Sequence, residues 1–215
     1  MTGDAFATGR LRRAVLDAWR AHPPRFREDA NAEEDYARRY YRDRVVVELA
    51  QNAADAAARA GIPGRLALRL DGTDRVTLTA LNTGTPLDAD GVASLASLRA
   101  STKRDAAAVG RFGVGFAAVR AVADEVTVAS TTGAVHFSLA ATRAVLADAA
   151  AQRASDDRLA AEVRRRGDSL PLLRLPAEGA APRHPGAPPD GWDTAVVLTL
   201  RDDEAVARVV AELAA

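Results

Sequence analysis

The sequence contains no cysteine. Disulfides, zinc–thiolate sites and cysteine nucleophiles are therefore excluded, and the absence fits a reducing compartment. Neither sign of charge dominates: 29 Lys plus Arg stand against 29 Asp plus Glu, a formal net charge of zero. That balance gives no general attraction to nucleic acid or to an anionic membrane. Long hydrophobic runs are missing as well. No apolar stretch approaches the roughly 18 residues that a membrane-spanning helix needs, and Met1 to Arg13 holds no apolar segment of the secretory type. These absences predict a cytoplasmic, soluble protein. Lysine occurs once, as Lys103. The three histidines, His22, His136 and His184, are scattered without metal-ligand spacing. What remains is a chain of 215 residues, enough for one domain with its own core.

Apolar periodicity supplies the elements. Leu11, Val15, Leu16 and Trp19 recur at helical spacing, and Pro23-Pro24 is expected to end that helix. A second helix is expected from Asn31 or Glu33 to Ala60, stopped by Gly61 and Pro63. Leu66, Leu68 and Leu70 alternate with Arg65, Ala67 and Arg69. After the Asp71-Gly72 turn, Val76, Leu78 and Ala80 alternate in the same way, so two paired strands are predicted. Val92, Leu95 and Leu98 suggest a short helix. Ala100 to Val109 is small, polar and charged, and is expected to be mobile. Phe116 to Ala123 reads as helix, and Glu125–Ser130 with Ala134–Ala140 as a hairpin around Thr132-Gly133. Ala141 to Arg166 is predicted helical. Pro176 to Trp192 is a Pro/Gly-rich loop, followed by a strand over Thr194–Leu200 and a helix over Asp203–Leu213. Strands and helices do not alternate regularly, which argues against a doubly wound parallel sheet. Residues 1–30 are assigned to an N-terminal helix and linker, and 31–215 to the main domain with its loop at 176–192.

Three short segments carry candidate chemistry. In Glu48-Leu49-Ala50-Gln51-Asn52-Ala53-Ala54-Asp55-Ala56, the residues Glu48, Asn52 and Asp55 are spaced i, i+4, i+7 and share a helix face. An amide oxygen there can ligate Mg²⁺, a hard cation that prefers oxygen, and a carboxylate one turn away can polarise a water. The same three residues also suit a solvated helix face. Asn82-Thr83-Gly84 follows a strand, where a buried polar side chain can read a base edge; an Asx turn explains it equally. Gly110-Arg111-Phe112-Gly113-Val114-Gly115-Phe116 lets backbone N–H groups approach phosphate oxygens ahead of a helix N-terminus; a structural glycine turn is the plainer explanation. Gly113, Gly115 and Ala118 imitate a dinucleotide fingerprint, but Ser101 to Val109 is no strand, so the context fails. No P-loop pattern is present.

Order, spacing and context of the three segments together resemble the GHKL superfamily of ATP-binding domains, which includes gyrase, the ninety-kilodalton heat-shock chaperones, histidine kinases and MutL. Glu48, Asn52 and Asp55 match its N box, Asn82 to Gly84 its first glycine box, and Gly110 to Phe116 its second. "ELAQNAADA" and "GRFGVGF" look most like the heat-shock-chaperone and sacsin-like branch. Ser101-Thr102-Lys103 resembles the lid of that branch, and Asp193 to Leu198 its closing strand. The resemblance covers roughly Tyr40 to Leu200.

The resemblance implies an α/β (α+β) two-layer sandwich, with helices on one face of a mixed, mostly antiparallel sheet and ATP between the layers. It implies ATP and Mg²⁺ as cofactors. Glu48 resembles the general base, Asn52 the metal ligand and Asp55 the lid-facing acid. Asn82 would read adenine with Thr194 assisting through water. Gly84 belongs to the first glycine box. Gly110, Arg111, Phe112, Gly113, Val114, Gly115 and Phe116 would cradle phosphates, and Lys103 would reach a phosphate from the lid. Two positions depart from the pattern. Asn82 stands where the family usually has Asp, so the acceptor for the adenine amino group loses its charge-assisted strength. Thr85-Pro86 replaces the usual second glycine. Function stays open between an ATPase driving a conformational cycle, a weak one needing another domain for full activity, and a nucleotide-sensing module without turnover. A kinase is disfavoured because histidine kinases of the superfamily generally lack the Glu48 base. Implied partners are ATP or ADP and further domains of a longer chain. The resemblance leaves room for an ATP-dependent dimer, and no membrane or nucleic-acid partner is expected.

Overall fold

The computed structural model describes residues 4–40, 43–97, 115–151 and 157–215. Six strands form one sheet: β1 (Leu66–Asp71), β2 (Thr77–Asn82), β3 (Ala123–Ser130), β4 (Gly133–Ser138), β5 (Ala177–Glu178) and β6 (Thr194–Leu200). Their spatial order is β1-β2-β6-β3-β4-β5, and every pairing is antiparallel. Among the described residues, seven α-helices accompany it: α1 (Thr8–Ala21), α2 (Pro23–Asp35), α3 (Val45–Ala60), α4 (Ala89–Ser97), α5 (Leu139–Ala151), α6 (Asp157–Arg166) and α7 (Asp203–Ala214). The expected α/β sandwich is thus present, with no parallel pairing among the described residues. None of its helices is long and apolar enough to cross a membrane, among those residues.

Strand alternation sorts side chains into two layers. Leu78 lies across from Leu198 and that from Val126; Ala80, Val196 and Val128 form the next row. These residues join Leu49, Leu95, Phe116 and Val209 in the main core between sheet and helices. Trp19 and Phe26 from α1 and α2 enter the same core, edge to face at 5.0 Å. Each such fully buried large side chain contributes roughly 1.5–3 kcal/mol. The opposite face is lined by smaller residues, Leu81, Ala129 and Ala195, with Trp192 against them. The Pro/Gly-rich loop lies over this face. Ala181 N–H donates to Thr127 Oγ1 at 3.0 Å, and His184 bridges Thr127 Oγ1 and Thr199 Oγ1 at 2.9 and 2.8 Å.

His184 makes this loop pH-sensitive. Burial lowers its pKa below the ordinary 6.5; Glu125 opposes the shift and His136 reinforces it. The unfolded chain therefore binds the proton more readily than the native one. The stabilisation is fully present above the ordinary value and drains as pH falls through the lowered native value. In melts from about pH 8 down to about pH 5, the wild type should lose more thermal stability than His184→Gln. Parallel losses in the two proteins would remove His184 as the sensitive group.

Two boundaries differ from expectation. α1 stops at Ala21, just before Pro23-Pro24 as expected, but the polar stretch that follows is no linker: Pro23 opens α2 at the N-terminal position where proline's missing N–H costs nothing. The single helix expected to run into Ala60 is broken. α2 passes into a π-helical turn, Tyr36–Tyr40, Asp43 takes φ 58°, and α3 starts afresh at Val45. The new N-terminus is capped from afar, by Glu212 of α7, whose Oε2 accepts Val46 N–H at 2.8 Å. Phe116 and its neighbours form a 3-10 turn, Gly115–Ala121.

Candidate functional site

The C-terminal end of β2 and the N-terminal end of β6 meet in one cross-strand row. Asn82 pairs with Thr194, and Thr194 with Ser130 at the end of β3. The pleat directs Asn82 and Thr194 to the helix side of the sheet, as it does Val196 and Leu78. The segment after β2 then turns under α3. Gly84 permits this: its φ is 141°, and a Cβ there would lie 2.4 Å from the Ala56 carbonyl carbon. Thr85 N–H donates to Ala56 O at 2.9 Å, and Gly84 N–H donates to Asp193 Oδ2 at 2.9 Å. Asp193 thereby ties the post-β2 segment to the start of β6. Thr83 pairs back to Arg65 through its hydroxyl, which accepts Arg65 N–H at 2.9 Å.

These elements enclose a cavity of about 320 Å³. α3 supplies Asn52, Ala56 and Arg59; the sheet supplies Asn82, Thr194, Val128 and Val196. Thr85 to Asp88 and Ser94 and Leu95 of α4 form the far wall, and Phe116 closes one side. The volume suits a small molecule, and a largely apolar lining with a few convergent polar groups is the usual character of a binding site. Partial burial pulls the Arg59 guanidinium below its usual pKa range, with Asp55 and Asp88 pulling the other way. Larger clefts lie elsewhere among the described residues: one of about 420 Å³ lined mostly by alanines of α3, and two of about 550 and 760 Å³ with charged walls. Those charged walls are already satisfied internally, as in Arg201–Asp124 at 2.8 Å, Arg120–Asp124 at 3.3 Å and Arg143–Asp168 at 2.7 Å. The smaller cavity, with its polar floor, is the better candidate.

The sequence-predicted residues fall into three groups. Asn52, Asn82, Thr194 and Phe116 line the cavity. Glu48, Asp55, Gly84 and Gly115 lie close to that wall without being part of it. Asp55 is buried and accepts Gln51 Nε2–H at 2.9 Å. Glu48 sits one turn before Asn52, paired with Arg44 at 3.5 Å, and its carboxylate occupies the space over Gly115, where a Cβ would meet Oε2 at 2.1 Å. Lys103 and Gly110, Arg111, Phe112, Gly113 and Val114 lie outside the described residues, as does the whole segment expected to be mobile, Ala100 to Val109. Asp193, Ser130 and Arg59 were not foreseen. Position alone offered a signal for Asp193, since a carboxylate directly before a closing strand can cap a neighbouring turn.

Among the described residues, no group of three or more acidic or histidine side chains converges as a metal cage. The donor set fits a different kind of ion. A Mg²⁺ that keeps waters and phosphate oxygens needs only one or two protein oxygens, and the Asn52 amide in the cavity wall offers one. No protein-family model matches this chain, and no curated protein matches it significantly.

Proposed function

We propose that this chain is an ATP-binding domain of the GHKL type, chaperone-like or sacsin-like, that hydrolyses ATP with Mg²⁺ to drive a conformational cycle. One observation carries the reading: Asn52, Asn82, Phe116 and Thr194, chosen from sequence segments far apart in the chain, line a single cavity. Asn82 and Thr194 form the polar floor for a base edge. Val128, Val196, Leu95 and Phe116 provide apolar walls for a planar ring system. Asn52 would hold Mg²⁺, which supplies charge neutralisation at the phosphates. Glu48, one helical turn towards Gly115, would polarise the attacking water, in keeping with the phosphate-loop role proposed for the segment that ends at Gly115 and Phe116.

A second reading, nucleotide sensing without useful turnover, is favoured by one contact. Arg44 pairs with Glu48 at 3.5 Å, and a carboxylate oxygen engaged by a cation is not free to take up an attacking water.

Mg·ADP or Mg·ATP should raise the melting temperature, because a ligand selective for the native state stabilises it by mass action. Calorimetric titration should show saturable binding. Absence of adenine-nucleotide binding up to about millimolar concentration, a Kd weaker than about −4 kcal/mol corresponds to, would end the reading.

A further inference from the structure

The two ends of the sheet are built differently. β5 is only two residues long, too short to template another strand, whereas β1 runs for six residues without proline or bulge. β1 pairs with β2, and among the described residues no strand lies beyond it. Thr83 N–H donates to Arg65 O at 3.1 Å, so residue 65 bonds towards β2. Bonding alternates along an antiparallel ladder, so Ala67, Arg69 and Asp71 bond towards β2 as well. Leu66, Leu68 and Leu70 therefore turn their N–H and C=O groups to the open edge. The Leu66 side chain is 37% exposed and lines the apolar groove beside α3 together with Ile62, which is 45% exposed. We propose that this edge is a homodimer interface: β1 of a second copy pairs with it, antiparallel, about a two-fold axis through Leu68, and one sheet then runs across two chains. The dimer is independent of what the cavity binds.

Parity and charge select the register. Outward-facing groups must meet outward-facing groups, so Leu66, Leu68 and Leu70 pair only with one another. With Leu68 on the axis, Leu66 lies across from Leu70 of the second copy, and the strand is paired from Arg65 to Asp71. The pairs in between are of the non-hydrogen-bonded kind, in which side chains come closest. They set Arg65 across from Asp71 of the second copy and Ala67 across from Arg69, each twice by symmetry. A two-residue slip one way sets Arg65 against Arg69. The same slip the other way sets Arg69 against its own copy. Opposite charges directly across a ladder stabilise it and like charges destabilise it. Larger slips leave half the strand or more without a partner. Arg65 donates to Gly191 O and lies 5.0 Å from the Trp192 ring, which holds its guanidinium on the face of the sheet where Asp71 of the second copy arrives. On the other face Leu70 of the second copy covers the exposed Leu66. The formal net charge of zero adds no long-range repulsion between copies.

The test uses the full chain without nucleotide. Sedimentation across about 1 µM to 1 mM should show a reversible monomer–dimer equilibrium. Leu66→Pro removes two symmetry-related outward N–H donors and no bond to β2, a change that a strand edge tolerates. It should raise the dimer dissociation constant about tenfold or more, the worth of two neutral hydrogen bonds. Asp71→Arg sets like charges across the axis and should raise it about threefold or more. The absence of cysteine makes the register itself readable. Across the axis the Cα atoms of residues 67 and 69 would lie about 4.5 Å apart, within disulfide reach, whereas 67 to 67 and 69 to 69 are diagonals of about 7–8 Å. Oxidised with diamide, a mixture of Ala67→Cys and Arg69→Cys proteins should give the mixed disulfide dimer as main product, and each protein alone should stay mostly unlinked. If Leu66→Pro folds poorly, Asp71→Arg and the cysteine mixture decide. A wild type that stays monomeric up to about 1 mM, or dimerises only when Mg·ATP is added, overturns the inference and leaves the nucleotide reading standing. So does a dimer indifferent to the substitutions, or a mixture that links no better than its components.

Discussion

Gly84→Ala is expected to destabilise the domain by about 3 kcal/mol or more, combining an unfavourable backbone conformation with a steric clash against a helix. The backbone φ of 141° belongs to glycine, and the added Cβ would stand 2.4 and 2.6 Å from the Ala56 carbonyl carbon and oxygen. Those are backbone atoms of α3, which cannot swing aside as a side-chain tip can. Relief requires α3 and the segment after β2 to separate. Separation would cost the Thr85 N–H to Ala56 O bond and the Gly84 N–H to Asp193 bond as well. For a domain of this size the melting temperature should fall by roughly 6–12 °C. Gly186→Ala is the matched control, with open space around it and no positive φ, and should melt like the wild type. A Gly84→Ala protein within about two degrees of wild type would show that this approach does not hold the cavity wall in place.

Glu48→Ala should leave ATP affinity within a few-fold and lower hydrolysis by about 10² or more, the usual worth of a positioned base. Bound nucleotide has no need of the carboxylate; a water attacking the terminal phosphate does. The carboxylate lies over Gly115, where a Cβ would meet Oε2 at 2.1 Å. This suggests a companion variant. Gly115→Ala should push the Glu48 carboxylate away and slow hydrolysis, at little cost in stability, because the displaced atoms end a flexible side chain. Asn52→Ala should instead damage Mg²⁺-dependent binding itself. Single-turnover assays are the appropriate measurement, because the proposed reading allows a weak ATPase that needs another domain for full activity. Wild-type hydrolysis no faster than that of Glu48→Ala, with ATP bound in both, would replace the ATPase with the sensing module.

Legibility from sequence followed the range of the determining interactions. Thr194–Leu200 was readable as a strand because its apolar run is bounded by Asp193 behind and Asp202 ahead. The β1–β2 hairpin was readable because Leu66 to Leu70 and Leu78 to Ala80 alternate around Asp71-Gly72. The break before α3 was not. The residues around Asp43 carry no proline or glycine, and the group that caps the new helix, Glu212, is 166 positions away. Buried charge was equally hidden. Glu33 reads as a surface residue, yet it lies 1% exposed with both oxygens accepting N–H bonds from Leu172 and Leu173. Burial raises its pKa, while those bonds, Arg120 and Arg174 oppose the rise. Within the site, Asn52 came from helix-face spacing, Asn82 from its place after a strand, and Thr194 from the family resemblance alone. Ser130 and Asp193 did not, because their part lies in hydrogen bonds across strands that local pattern does not encode.

The strand order also constrains how the domain is made. β6, next to last among the elements in the chain, lies between β2 and β3 at the middle of the sheet. Until it arrives, the hairpin β1–β2 and the hairpin β3–β4 have no strand between them to pair with. During synthesis the sheet therefore cannot close before about Leu200 has left the ribosome, and the waiting hairpins expose the unpaired edges on which nascent chains aggregate. Such non-local pairing is slow to form. The same strand brings Thr194 to the cavity floor. The cavity and the finished sheet thus come into being in one step, so a nascent chain lacks that cavity until it is ready to fold.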